Sequence, residues 1–243
     1  MPHLRRSRHR LPSGSVCYLC CRPIVESDEW NRDHVPPLRF FGKAVRQAHA
    51  LNLSWLPTHK ACNGAFKKDE EYFVAVLSSQ ACESETGQAV WNDYASAVRK
   101  GHDVGLTKTV IQQFGQVTLP DGRIPFVYDS QRLKNVLWKL IRGVHFQMTG
   151  TALEASRPRA IDLFTPGHAA ELDQHGWYQV VRDTQPLGEF ENVFDIKTLG
   201  IPDGDWRGHA YALLIWDRII ALALFHDPSC GCGECGHEPQ ASG

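Results

Sequence analysis

Four residues at two tight spacings could hold a metal ion: Cys17-x-x-Cys20 and His59-x-x-Cys62. A structural zinc takes four ligands in a tetrahedron, drawn from thiolate sulfur and imidazole nitrogen, and two such pairs supply that set. Cys21 directly follows Cys20 and competes for the second place, but the spacing favours Cys20. Harder groups accompany the two pairs: Asp33-His34, then Asn52, then Asn63 directly after Cys62. A carboxylate, an imidazole and an amide oxygen suit a different task, holding a hard divalent cation and activating a water. One stretch thus carries the pattern of a closed zinc site beside an open catalytic one.

The chain must position these groups with short elements. Cys17 to Cys20 predicts a tight knuckle, and His59 to Asn63 a second one. Pro36-Pro37 follow the Asp-His pair, and proline pushes the residue before it towards an extended conformation, so a short strand should end there. Asn52-Leu53 begins the return. Phe66, Phe73, Val74 and Leu77 then recur at helical spacing and predict a helix over about 63–79. Glu70 lies seven residues after Asn63 on the same helix face; it could assist at the metal, but reads first as a solvated acid. Further helices are expected over 87–99, 104–114 and 130–148, the last with Leu133, Val136, Leu137, Leu140, Ile141 and Val144 as its buried stripe. Pro120-Asp121-Gly122 reads as a hairpin turn. Strand signals follow at 177–181, 193–199, 209–216 and 219–225, with Asp217-Arg218 as a turn, predicting a small antiparallel sheet.

Net charge is −1 but unevenly spread. Residues 1–70 hold 12 Lys/Arg against 6 Asp/Glu, whereas 71–243 hold 14 against 21. The basic part is the part with the metal motif, which fits a polyanionic partner. Arg5 and Arg6 belong to a basic arm over 1–16 that could track phosphates. Of the eight cysteines, Cys17, Cys20 and Cys21 and then Cys230, Cys232 and Cys235 stand at x-x or closer spacing, which, with no secretory signal, favours metal binding in a reducing cytoplasm over disulfides. Cys82 reads as a small buried side chain. No apolar run reaches the length of a membrane span. The tail over 228–243 gathers Cys230, Cys232, Cys235 and His237, a cramped set for one ion.

Taken together, Cys-x-x-Cys, Asp-His, Asn and a knuckle closing in Cys-Asn with lysines after it resemble the HNH endonuclease family. The likeness is to its zinc-stapled, endonuclease VII-like branch and to bacterial HNH proteins of similar length. It covers about Cys17 to Phe73. His59 stands where cysteine is usual in that branch, and Asn63 where the last histidine often falls. The resemblance implies an N-terminal ββα-metal module over 17–83 stapled by zinc; with the helices and small antiparallel sheet read from the pattern over 84–227, the expected fold class is α+β. It implies a divalent-metal-dependent endonuclease acting on nucleic acid, DNA first. His34 would be the general base, Asp33 and Asn63 would hold Mg²⁺ or Mn²⁺, and Asn52 would orient the histidine loop. Lys67 and Lys68 would contact flanking phosphates, and a double-strand cutter would work as a homodimer. The alternative is a non-catalytic, zinc-stabilised nucleic-acid-binding module.

Overall fold

A computed structural model of the chain describes residues 11, 14–49, 53–102, 104–115, 118, 126–157, 159–187, 190, 192–198 and 209–225. Arg5 and Arg6, Asn52, the Pro120-Asp121-Gly122 turn and the tail cysteines lie outside them. The flanks of that turn pair antiparallel at Phe114 and Phe126.

Strand β1 (Trp30–His34) stops where the prolines begin, as expected. A 3₁₀ turn over Leu38–Phe40 and helix α1 (Lys43–His49) carry the chain round to β2 (Trp55–His59). The two strands form an antiparallel hairpin with Asp33 opposite Leu56 and His34 opposite Trp55. β2 runs without a break into α2 (Lys60–Gln80). Seven consecutive residues of α2, Tyr72 to Ser78, are buried, so this third of the helix is enclosed on all sides.

Helices α3 (Glu85–Arg99), α4 (Val104–Gln112) and α5 (Ser130–Thr149) follow close to their expected bounds. Each end of α5 has a local cause. The Asp129 carboxylate accepts from the Arg132 N–H at 3.3 Å, and Gly150 takes a left-handed φ of 71° that a side chain would resist. α5 lies against α2 and against the loop after β1. At Gly143 an added Cβ would meet Val35 Cγ2 at 2.7 Å and Val35 Cγ1 at 3.0 Å, so a glycine is what lets this approach happen.

The C-terminal sheet is wholly antiparallel. Its strands are β3 (Arg159–Phe164), β4 (Phe194–Thr198), β5 (His209–Ile215) and β6 (Ile219–Phe225), in the order β3-β6-β5-β4. Three of the four were expected. The stretch 177–181 was expected as a strand and is instead helix α7 (Gly176–Val181), following α6 (Ala169–Gln174). Five residues rich in β-formers carry no decisive period. Tyr178 and Val181, three apart, fall on one helix face and pack on Ala210, Ala212 and Leu222 of the sheet. Its place in the sheet goes to β3, which the sequence pattern did not announce.

Residues on both sides of position 84 share one hydrophobic core, from Cys17 and Tyr18 through Phe73 and Leu137 to Trp216 and Phe225. Trp216 takes a φ of 52° in the β5–β6 turn, a conformation that costs a bulky residue about 1–3 kcal/mol. It is held there by complete burial and by its indole N–H, which donates to the Phe40 carbonyl at 2.8 Å. Architecture is therefore α+β, with seven α-helices and two antiparallel sheets among the described residues. None of these helices is long and apolar enough to cross a membrane.

Gly143→Ala should lower stability by about 1–3 kcal/mol, because the branched Val35 side chain has no flexible end to yield. Urea unfolding measures it; an unchanged midpoint would mean that α5 does not rest on the end of the Asp33-His34 strand.

Candidate functional site

The ligand atoms of Cys17, Cys20, His59 and Cys62 all lie within 4.8 Å of one another. Four ligands about 2.3 Å from one ion would stand about 3.8 Å apart, so this set could hold a metal ion such as zinc. Backbone turns build the first knuckle: the N–H groups of Cys20 and Cys21 both point at the Cys17 carbonyl, and Cys17 N–H donates to Arg22. Cys21, at a φ of 60°, turns away and donates its thiol to the Leu153 carbonyl at 3.4 Å. The competition between Cys20 and Cys21 is thereby resolved in favour of Cys20.

Around the cluster the surroundings also fit a bound cation. His59 Nδ1 faces Cys20 Sγ at 3.3 Å, while its Nε2 meets the Asp28 carboxylate at 3.2 Å. A ligating histidine ordinarily passes its second nitrogen to such a carboxylate, which fixes the ring and raises its basicity. Asp28 was not anticipated; it is fixed in turn by the Val25 N–H at 2.9 Å, which holds its carboxyl below the usual range. Without a cation the site treats two of its sulfurs in opposite ways. Burial, reinforced by Cys17 and Cys20, pushes the Cys62 thiol up to about 12. Burial raises Cys20 as well, but hydrogen bonds from Arg22, Cys17 and His59 outweigh it and bring that thiol down to about 6.

The second constellation forms around a cation that the sequence reading did not foresee. Asp33 and Asn63 come together as expected, but on the ammonium of Lys139 from α5. Lys139 Nζ lies 2.9 Å from Asp33 Oδ2, 2.9 Å from Asn63 Oδ1 and 2.5 Å from Glu70 Oε1. Tyr18 O–H donates to the same Asp33 carboxylate at 2.6 Å. Lys139 is 1% exposed and Asp33 5%, and the Phe66 ring covers the ammonium at 5.5 Å. Glu70 is no solvated acid: its side chain is mostly buried, and that burial raises its carboxyl pKa against the pull of Lys139. Two carboxylates and an amide oxygen suit a hard divalent ion by type. The space between them is held by the ammonium, so Mg²⁺ or Mn²⁺ does not fit there with Lys139 in place.

His34 is adjacent in sequence but not part of this set. Successive strand residues face opposite ways, so Asp33 turns inward and His34 to the other face of β1. His34 is half-buried, and its Nδ1 is enclosed without a hydrogen-bond partner among the described residues. On that face Arg32 stacks over Trp55, the strand partner of His34, at 4.2 Å. Lys67 and Lys68 are exposed. Cys82, expected inside, is exposed as well, because it falls in the turn just after α2.

Two arginines flank Lys139 along α5. Arg132 Nε donates to Asp69 at 2.7 Å, and Arg142 donates to the carbonyls of Tyr18 and Leu19 at 3.0 and 2.6 Å. With Asn135, also bonded to Asp69, these form a polar stripe at 132, 135, 139 and 142. Such 3-4-3 spacing is one face of a helix, and it was the signal available in the sequence. Comparison with protein-family models, with curated proteins and with solved structures gives no match.

Cys20→Ser should abolish tight zinc binding while Cys21→Ser keeps one equivalent, read as metal content after dialysis; equal loss would reject the assignment. Zinc uptake must release the Cys62 proton, so affinity should fall as pH is lowered towards 6, where Cys20 also regains its own.

Proposed function

We propose that the chain is an HNH-type nuclease that hydrolyses phosphodiester bonds of nucleic acid, DNA first, with a zinc ion on Cys17, Cys20, His59 and Cys62. What carries this reading is one arrangement: a β-hairpin running into a helix, with Asp33 and Asn63 converging on a single cation and a histidine next to the aspartate. Zinc at the cluster would join the knuckle before β1 to the first turn of α2, keeping the hairpin and helix in register.

The protein groups then divide the work. Phosphodiester hydrolysis needs a water deprotonated near neutral pH, and histidine is the side chain suited to it. His34 Nδ1 is already enclosed, which leaves Nε2 as the nitrogen to take the proton. Arg32, Lys67 and Lys68 supply positive charge for a polyanion. Asp33 and Asn63 anchor the cation, and Tyr18 holds Asp33 in place.

One observation favours a second reading, a zinc-stabilised nucleic-acid-binding module without catalysis: the cation within reach of Asp33 is buried, and His34 faces away from it.

The two readings part in one experiment. Purified protein is incubated with plasmid, single-stranded DNA and RNA in buffer alone, with Mg²⁺ and with Mn²⁺, alongside His34→Ala. Cleavage reduced about 10²–10⁴-fold in the folded variant is expected of a lost general base. A wild-type rate in His34→Ala removes His34 from the chemistry, and binding without cleavage in every condition establishes the second reading.

A further inference from the structure

We propose that Lys139 is the resident cation of this site, and that the native chain takes no Mg²⁺ or Mn²⁺ between Asp33 and Asn63. The comparison with a metal position rests on the HNH-type reading; the assignment of the ammonium rests on geometry alone.

An ammonium has three N–H donors and no acceptor. Asp33, Asn63 and Glu70 supply one oxygen partner for each, all within 2.9 Å at their nearest. The hydrogen-bonding capacity of the nitrogen is therefore filled. A magnesium ion demands oxygens at about 2.0–2.1 Å in near-octahedral order and keeps several waters. These same oxygens cannot meet that demand around a second cation, and an ammonium beside them would repel it.

Withdrawal of the lysine is opposed from both sides along its helix. Arg132 is tied to Asp69 and to the Lys68 carbonyl, seven residues before it. Arg142 is tied to the first knuckle, three residues after it, and is itself buried. Phe66 closes the near side. The charge count agrees: two carboxylates with one ammonium leave a single negative charge, whereas without it they would leave two facing one another with no cation between them.

That last point makes the inference testable by gain as well as by absence. Zinc-loaded protein is titrated with Mn²⁺ up to millimolar concentration, free Mn²⁺ being read by electron paramagnetic resonance. Mn²⁺ is a hard ion suited to oxygen ligands, so the sulfur cluster does not compete for it. The native chain should bind no more Mn²⁺ than Asp33→Asn does. Lys139→Ala should gain one saturable Mn²⁺ site and a melting temperature raised by Mn²⁺, and both should vanish when Asp33→Asn is added.

Saturable binding to the native chain that disappears in Asp33→Asn would overturn the proposal, whether or not the lysine variant folds. A folded Lys139→Ala or Lys139→Gln that gains no site would overturn the assignment of the ammonium to a metal position. Cleavage plays no part in these readouts, so failure of the nuclease reading and failure of this one are told apart.

Discussion

An ammonium buried to 1% exposure dictates much of this architecture. Taking a charge out of water costs several kcal/mol, and only well-placed counter-charges and hydrogen bonds repay it. Lys139 receives these from three directions: Asp33 on β1, Asn63 at the start of α2, and Glu70 two turns further along that helix. The ammonium and its carboxylates depend on one another, since losing one partner of a buried ion pair typically costs about 3–5 kcal/mol. Hairpin, α2 and α5 are therefore fixed relative to one another by a requirement of charge, over and above the apolar core they share. Arg132 and Arg142 extend the same requirement along the length of α5.

At the other end of the hairpin the Cys/His cluster imposes a constraint of a different kind. Its thiols oppose one another's ionisation, with Cys62 driven up and Cys20 held down. A dication is the natural remedy, because it stabilises every thiolate at once. His59 serves two structures together. It ends β2 and precedes α2, so its imidazole is given to the cluster and to Asp28 and not to capping the helix. Arg142 hydrogen-bonds the carbonyls of Tyr18 and Leu19 inside the first knuckle, so even this distant cluster leans on α5.

What could be read from the sequence was what is written locally. Ligands two residues apart, prolines after Asp33-His34 and a helical period from Phe66 to Leu77 each state their structure within a few residues. The hairpin-into-helix order and the four clustered ligands followed from them. The partner of Asp33 could not be read this way, because Lys139 lies 106 positions away and a lysine on a helix is normally solvated. Its helix was recognised by its apolar face, while the polar stripe through Arg132, Asn135, Lys139 and Arg142 carried equal periodicity. Glu70 was misjudged for the same reason: without Lys139 opposite, nothing would draw a carboxylate inside. The segment 177–181 shows the converse limit, where β propensity yielded to the second face of the sheet.

The internal ammonium also bears on how a polyanion would meet this surface. Asn63, Phe66 and Glu70 occupy one face of α2, at spacings of three and four, and turn towards Lys139. Lys67 and Lys68 are exposed, and Lys68 is tied to α5 through its backbone carbonyl only, which leaves its side chain in water. Unneutralised, Asp33 and Glu70 would place two negative charges beside α2, working against any anion drawn to Lys67 and Lys68. Lys139 cancels one of them from within, at no dependence on the concentration of any ion in solution. A site whose cation is part of the chain keeps that positive charge whatever the concentration of metal in solution. In a metal-dependent site the balance is lost whenever the metal is scarce. Here the C-terminal half of the chain sets the electrostatics of the N-terminal half, and α5 is the element through which it does so.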